Sequence, residues 1–259
     1  MVNLTRIYTR TGDDGSTALG DFSRTSKTDP RLVAYADTDE SNSAIGVAVT
    51  CGALREDVRA VLVRVQNDLF DVGADLCTPL AASYDHPPLR VQDVWVDELE
   101  ADCDRFNDEL EKLRSFILPG GTPGSAYLHV ARTVTRRAER SAWTALETYG
   151  GQPAPEGSDT GVGGVNPLTA KYLNRLSDLL FILGRVANLE IGGDVLWQPG
   201  GGRTPPPEQP ENSINCHMKI AEKGANCECS LSPDYPICGS ADCAGGVDFE
   251  PSRPGPDPR

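Results

Sequence analysis

Arg55-Glu-Asp-Val-Arg-Ala-Val-Leu-Val-Arg-Val-Gln-Asn-Asp-Leu-Phe-Asp-Val-Gly-Ala-Asp-Leu76 decides the fold. Val58, Leu62, Val65, Leu69, Val72 and Leu76 recur at spacings of three and four, the period of one helix face. Such a stripe buries itself against other helices. The same period is found on either side. Residues 31–51 follow Asp29-Pro30, a good helix-start pair. Residues 91–113 carry Val91, Trp95, Leu99, Phe106, Leu110 and Leu113, with glutamate and aspartate on the outer face. Gly120, Gly121 and Pro123 break the chain before a helix over 124–149, and 150–164 reads as a flexible loop. A last helix, 166–189, places Leu168, Tyr172, Leu176, Leu179 and Leu183 on one side. No strand-length alternating run competes. The expected fold class is all-α, a five-helix up-and-down bundle behind a short irregular N-terminal segment.

Composition divides the 259 residues unevenly. Residues 1–191 are expected to form the helical-bundle domain. Residues 192–259 are a glycine-, proline- and cysteine-rich extension, expected to be largely irregular and disordered or weakly ordered. The formal net charge is −14, and both parts are acidic, so nucleic acid and anionic membranes are poor partners. There is no apolar signal region and no run of about 18 apolar residues, which leads us to expect a cytoplasmic protein. Cys51, Cys77 and Cys103 fall on helical positions, where buried, reduced thiols are expected.

Against that acidic background, Arg132, Arg136, Arg137 and Arg140 crowd into nine residues of one helix. Like charges four apart on a helix repel by about 0.2–0.5 kcal/mol per pair. Arg132, Arg136 and Arg140 therefore want anionic partners, carboxylate or phosphate, and the guanidinium fork suits both. A solvated face with local ion pairs, such as Glu139 near Arg136, is the plainer reading. The overall charge tells against it, because an acidic chain gathers arginines where something negative sits.

Tyr8-Thr-Arg-Thr-Gly-Asp-Asp-Gly-Ser-Thr17 offers glycines, which let backbone amides approach an anion, and hydroxyl donors. An Asp-Gly turn explains it equally well, and the established nucleotide-binding signatures are missing. Asp37, Asp39 and Glu40 need cation partners where they are partly buried. Arg132 is a natural one, within the protomer or across an interface. Asn174 and Asp178 share a face of an otherwise apolar helix. Either they knit neighbouring helices together or they line a site. His86 and His129 have no carboxylate or cysteine at metal-ligand spacing, and His129 reads as a satisfied helix histidine. Nothing suggests acyl-transfer chemistry.

Taken in order, Thr9–Thr17, Asp37-Thr-Asp-Glu40, Phe116-Ile-Leu-Pro-Gly-Gly121, Arg132-x-x-x-Arg-Arg-Ala-Glu-Arg140 and Tyr172-Leu-Asn-Arg-Leu-Ser-Asp178 resemble the PduO-type ATP:cob(I)alamin adenosyltransferases. The match spans about residues 4–190. The resemblance implies a homotrimer with ATP and the corrinoid meeting at each subunit interface. It implies attack of cobalt(I) on the 5′-carbon of ATP, giving adenosylcobalamin and triphosphate. By it, Thr9, Thr11, Gly12, Asp13, Gly15, Ser16 and Thr17 wrap the triphosphate, with Lys27 adding charge. Arg136 is the main catalytic arginine. Arg137, Glu139, Arg140 and Asn174 complete the nucleotide site, with Mg²⁺ bridging phosphates. Asp39 pairs with Arg132 of a neighbouring subunit, and Phe116 presses on the lower face of the corrin ring. A cobalamin reductase and an adenosylcobalamin-dependent mutase are the implied partners. Two alternatives stand beside this reading: an adenosylcobalamin escort, and a trimeric all-α ATP-binding module without corrinoid chemistry. The extension departs from the family pattern. Cys216, Cys227, Cys229, Cys238, Cys243 and His217 invite zinc or an iron–sulfur centre, but their spacing fits no strong template, and no metal site is assigned.

Overall fold

A computed structural model describes residues 8–84, 86–201 and 203. His217 and the five cysteines from Cys216 to Cys243 lie outside the described residues, as does most of the extension. Among the described residues five α-helices build an up-and-down bundle: α1 (Pro30–Cys51), α2 (Glu56–Leu76), α3 (Asp93–Asn107), α4 (Pro123–Tyr149) and α5 (Pro167–Val186). One 3-10 turn, Leu189–Ile191, follows α5. The N-terminal segment is more regular than its composition predicts. Strands β1 (Ser16–Ala18) and β2 (Arg24–Ser26) form a short antiparallel hairpin, Thr17 opposite Thr25.

Three helices start by one device, a polar residue followed by proline. Asp29 accepts from the Arg31 amide at 2.8 Å, Thr122 from Ser125 at 3.1 Å and Asn166 from Leu168 at 3.1 Å. Each cap satisfies an amide that the first turn leaves without a partner, and the proline supplies no amide that would need one. Helix α3 ends six residues short of Leu113. Its periodicity runs on because Leu110 packs against the core from a turn. That turn is pinned by Arg55, which donates to both oxygens of Glu109 at 2.6 and 2.9 Å.

The α2 stripe from Val58 to Leu76 is buried throughout. Helix α1 packs on α2 and α4, α4 on α1 and α5, and α5 on α4 and α3, with a lighter contact between α2 and α5. From Ala131 onward the buried residues of α4 are all small: Ala131, Thr135, Ala138, Ala142 and Ala145. This stretch packs on α1, where Ala34, Ser41 and Ala48 are also buried, and the Ser41 and Thr135 hydroxyls bond at 2.6 Å. Residues this small let two helix backbones approach closely.

One end of the bundle is tied by Asp75, fully buried at the end of α2. Its carboxylate accepts from Arg90 at 2.6 Å, the Val91 amide at 2.8 Å and the Asn166 side chain at 2.7 Å. It thereby joins the ends of α2 and α5 to the segment entering α3. Asp75→Ala is expected to cost about 3–5 kcal/mol, since Arg90 loses its carboxylate inside the protein while the Val91 amide and Asn166 each lose an acceptor. Urea denaturation with an unchanged m-value reads this, and a loss below about 1 kcal/mol would show the node to be dispensable.

Candidate functional site

Helix α4 advances 100° per residue, so its arginines divide between two flanks of the alanine face. Arg137 and Ser141 face α1. Arg137 Nε donates to Asp37 at 3.2 Å and its Nη2 to Glu40, while Ser141 Oγ donates to the second Asp37 oxygen at 2.5 Å. Arg137, not Arg132, is therefore the partner of the α1 carboxylates within the protomer. Glu40 first, and then Asp37, raise the Arg137 pKa. Arg132, Arg136 and Glu139 face α5. Glu139 accepts from Asn174 Nδ2 at 3.0 Å, so Asn174 knits α5 to α4, while Asp178 is exposed and pairs with Arg175 at 3.1 Å. Arg140 projects outward and folds back on the Arg136 carbonyl at 3.0 Å.

The α5-side flank carries uncompensated positive charge. Among the described residues Arg132 and Arg136 make no ion pair, and Asp39 stands exposed and unpaired on α1. The Arg132 guanidinium lies 5.9 Å from the Phe181 ring centroid, and its buried Nε has no partner. Burial, and then Arg136, lower the Arg132 pKa. One and two turns before Arg132, His129 and Ser125 are buried too, and neither the ring nitrogens nor the hydroxyl has a partner. His129 is thus not the satisfied helix histidine that its position suggests. Its ring meets Phe181 edge-on at 6.0 Å, in space left open by Gly184.

The N-terminal loop forms a separate cluster. Thr9 and Thr11 share a hydroxyl hydrogen bond at 2.9 Å, and Asp14 accepts from the Ser16 amide and hydroxyl at 2.9 and 2.7 Å. Ser16 and Thr17 are half-buried in β1, Gly15 turns the chain at φ +83°, and Asp13 is exposed. A Cβ on Gly12 would stand 3.1 Å from Lys27 Nζ, so glycine lets the ammonium lie over the loop backbone. Arg24, absent from the expected set, donates to the Thr11 carbonyl at 2.8 Å and to Ser16 Oγ. Only the hairpin pairing reveals it, because Arg24 reaches the loop from the opposite strand. Hydroxyls, backbone and two cations thus gather in one loop cluster, donor types that can serve a polyanion.

Phe116 is 79% exposed, held from behind by a short ladder. Its carbonyl accepts from the Trp197 amide at 2.7 Å, and the Leu118 amide donates to Val195 at 2.8 Å. The Trp197 ring braces it edge-on with centroids 6.1 Å apart. Behind the ladder, Asn188 Oδ1 accepts from the Thr122 amide at 3.0 Å, and Asn188 Nδ2 donates to the Gly120 carbonyl at 3.0 Å. Gly121, at φ +103°, leaves room for that amide: a Cβ would lie 2.2 Å from Asn188 Oδ1. Clefts of about 470 and 750 Å³ elsewhere in the chain are lined by none of these expected site residues. Among the thiols, Cys51 is exposed, and burial pushes half-buried Cys77 and Cys103 up to about 12.

With this geometry in place, comparison with known proteins gives one family. Residues 7–187 match the cobalamin adenosyltransferase family profile. The corrinoid adenosyltransferase of Mycobacterium tuberculosis (strain ATCC 25618 / H37Rv) is 60% identical over 203 residues, 78% of this chain and 98% of that protein. The cobalamin adenosyltransferase of Cupriavidus metallidurans is 45% identical, covering 75% of this chain and 95% of that protein. A phenylalanine-to-alanine variant of a PduO-type ATP:corrinoid adenosyltransferase from Lactobacillus reuteri, solved with cobalamin and ATP, is 33% identical. It superposes with a TM-score of 0.64 over 74% of this chain and 99% of that one. The chain belongs to the cobalamin adenosyltransferase family.

The state of His129 is open to measurement. Burial first, and then Arg132, hold its pKa below the ordinary 6.5, with Asp194 opposing. The folded protein keeps the imidazole neutral while the unfolded chain takes up a proton. The resulting stability is complete above about pH 6.5 and is lost as pH falls through the folded pKa. His129→Gln is expected to flatten the decline of the urea midpoint between about pH 7.5 and 5.5. Parallel declines in both proteins would show that His129 does not titrate in this way.

Proposed function

We propose that this adenosyltransferase moves the 5′-deoxyadenosyl group of ATP onto the cobalt(I) of reduced cobalamin, releasing triphosphate. A Co–C bond forms at C5′, the C5′–O bond breaks, and the departing electron pair leaves with the triphosphate while cobalt passes formally from I to III. The observation that carries the reading is the uncompensated arginine flank of α4, since a leaving polyanion is what such a flank would stabilise. The substrate metal supplies the nucleophile, so the protein needs no general base, and no acid–base dyad is called for.

The loop Thr9–Thr17 with Lys27 would hold the triphosphate, Arg136 would meet the charge that develops on it, and Glu139, Arg140 and Asn174 would fix the nucleoside end. Arg137 reaches a phosphate only by sharing or releasing Asp37 and Glu40. No group of three His, Cys, Asp or Glu side chains among the described residues forms a metal cage. Mg²⁺ would arrive on ATP, where an exposed carboxylate such as Asp13 would share its charge with the phosphates.

A homotrimer, with each site shared between subunits, has support within the single chain. The base of the loop is fixed at Tyr149, the last residue of α4, and Arg136 lies thirteen residues back, roughly 20 Å along the axis. Asp39 and Arg132 each lack a partner of their own, as a pair completed by a neighbour would. Tyr35, Val130 and Trp143 expose apolar surface on α1 and α4 that a second copy would cover. Among the described residues no helix is long and apolar enough to cross a membrane. A cytoplasmic site of action, and reductase and mutase partners, complete the reading.

Anaerobic mixing with ATP, Mg²⁺ and chemically reduced cobalamin is expected to give alkylcobalamin and triphosphate in equal amounts; ATP binding without either product would favour the escort instead. Arg136→Ala is expected to keep the assembly state and lower kcat about 10²–10³-fold; near-normal kcat would remove Arg136 from the catalytic role. Phe116→Ala is expected to slow the route from cobalt(II) more than the route from supplied cobalt(I), because an exposed, braced ring can displace an axial ligand. Equal losses by both routes would count against that role.

A further inference from the structure

The strongest connection between the loop and the arginine helix runs through Asp29, a residue outside the expected site. Its carboxylate is buried, and its two oxygens do different jobs. Oδ1 accepts from the Arg31 amide at 2.8 Å and caps α1. Oδ2 accepts from Thr25 Oγ1 at 2.6 Å, in β2, and from Tyr149 Oη at 2.9 Å, at the last residue of α4. The tyrosine is itself held in place. The Arg31 guanidinium, 1% exposed, lies 3.4 Å from the centroid of the Tyr149 ring and donates to the Gly163 carbonyl. The cap needs only Oδ1. The bonds to Oδ2 serve to join the strand that leads to Lys27 with the helix that carries the arginines.

We propose that Asp29 and Tyr149 are positioning residues for ATP: their hydrogen bond sets where the loop and Lys27 stand relative to α4. The proposal rests on reading Thr9–Thr17 and Lys27 as the triphosphate holder. Lys27 is two residues from Asp29, and its amide donates to the Gly15 carbonyl at 2.9 Å, so a shift at Asp29 passes directly into the loop. The corrinoid-facing Phe116 is held by contacts at the other end of α4 and does not depend on this latch.

Three variants separate the latch from the cap. Tyr149→Phe and Thr25→Val each delete one bond to Oδ2, and the phenylalanine still lies under Arg31. Asp29→Ser keeps a good capping oxygen and is too short to bridge to Tyr149. In each, the KM for ATP is expected to rise about tenfold, the share of a hydrogen bond to a buried carboxylate. Saturating kcat and the KM for reduced cobalamin are expected to stay within about twofold. Calorimetric affinity for inorganic triphosphate is expected to fall by the same factor as the KM changes. Unchanged triphosphate affinity with a lowered melting temperature would overturn the proposal and leave the latch a purely structural tie, as would equal rises in both KM values. If the wild-type protein forms no alkylcobalamin, the adenosyltransferase reading fails, yet triphosphate titration of the same variants still decides the latch.

Discussion

The close approach of α4 to α1 governs the arrangement of the site. Five small residues, from Ala131 to Ala145, face small partners on α1, and a larger side chain at any of them would push the helices apart. Because the central face is so narrow, the long side chains of α4 begin immediately beside it. Arg132, Arg136 and Glu139 emerge along α5, and Arg137 emerges along α1. The helix therefore presents two electrostatic edges while its middle stays apolar.

Those edges differ in their state. On the α1 side Arg137 is neutralised by Asp37 and Glu40, an exposed ion-pair cluster that orients the helix and contributes little net stability. On the α5 side Arg132 has lost much of its water and gained no anion, and Arg136 beside it adds repulsion. A chain of net charge −14 has many carboxylates with which to quench that edge and does not. Leaving it unquenched costs stability in the single chain, and an anionic ligand and a neighbouring carboxylate would offset that cost on binding.

The helices were legible because each carries its own evidence: the α2 stripe, proline at the α1 start, glycine before α4. The arginine cluster was legible for the same local reason. What escaped depends on chain segments far apart in sequence. The β1–β2 hairpin has only three residues per strand, too short for alternation to show, so Arg24 could not be tied to Thr11 and Ser16. The early end of α3 was hidden because Leu110 keeps the helical period from within a turn, and Arg55, some fifty residues earlier, holds that turn in place. Which arginine faces Asp37 turns on the rotation of α4 against α1, and a difference of one residue, 100°, exchanges the flanks. His129 is the sharpest case. An isolated histidine on a helix reads as surface or satisfied core, and only the packing of Phe181 and Gly184 around it shows an imidazole sealed from partners.

The two halves of the proposed chemistry are held by different ends of α4, and this separation has a physical use. The loop proposed to hold triphosphate is anchored at the C-terminal end through Asp29 and Tyr149, whereas Phe116 is anchored at the N-terminal end through Asn188, Thr122 and the ladder to Val195 and Trp197. Helix α4 spans 27 residues, about 40 Å, and is stiff over that length. A rigid rod with one substrate holder at each end cannot bring its own two holders together by bending. In a symmetric assembly, however, one subunit's loop can meet the arginines of the next. Under the proposed homotrimer the single chain would carry two half-sites facing different neighbours rather than one open site. On that proposal the unpaired Arg132 and Asp39 and the exposed Tyr35 and Trp143 would have one common cause, each being a surface that another copy completes.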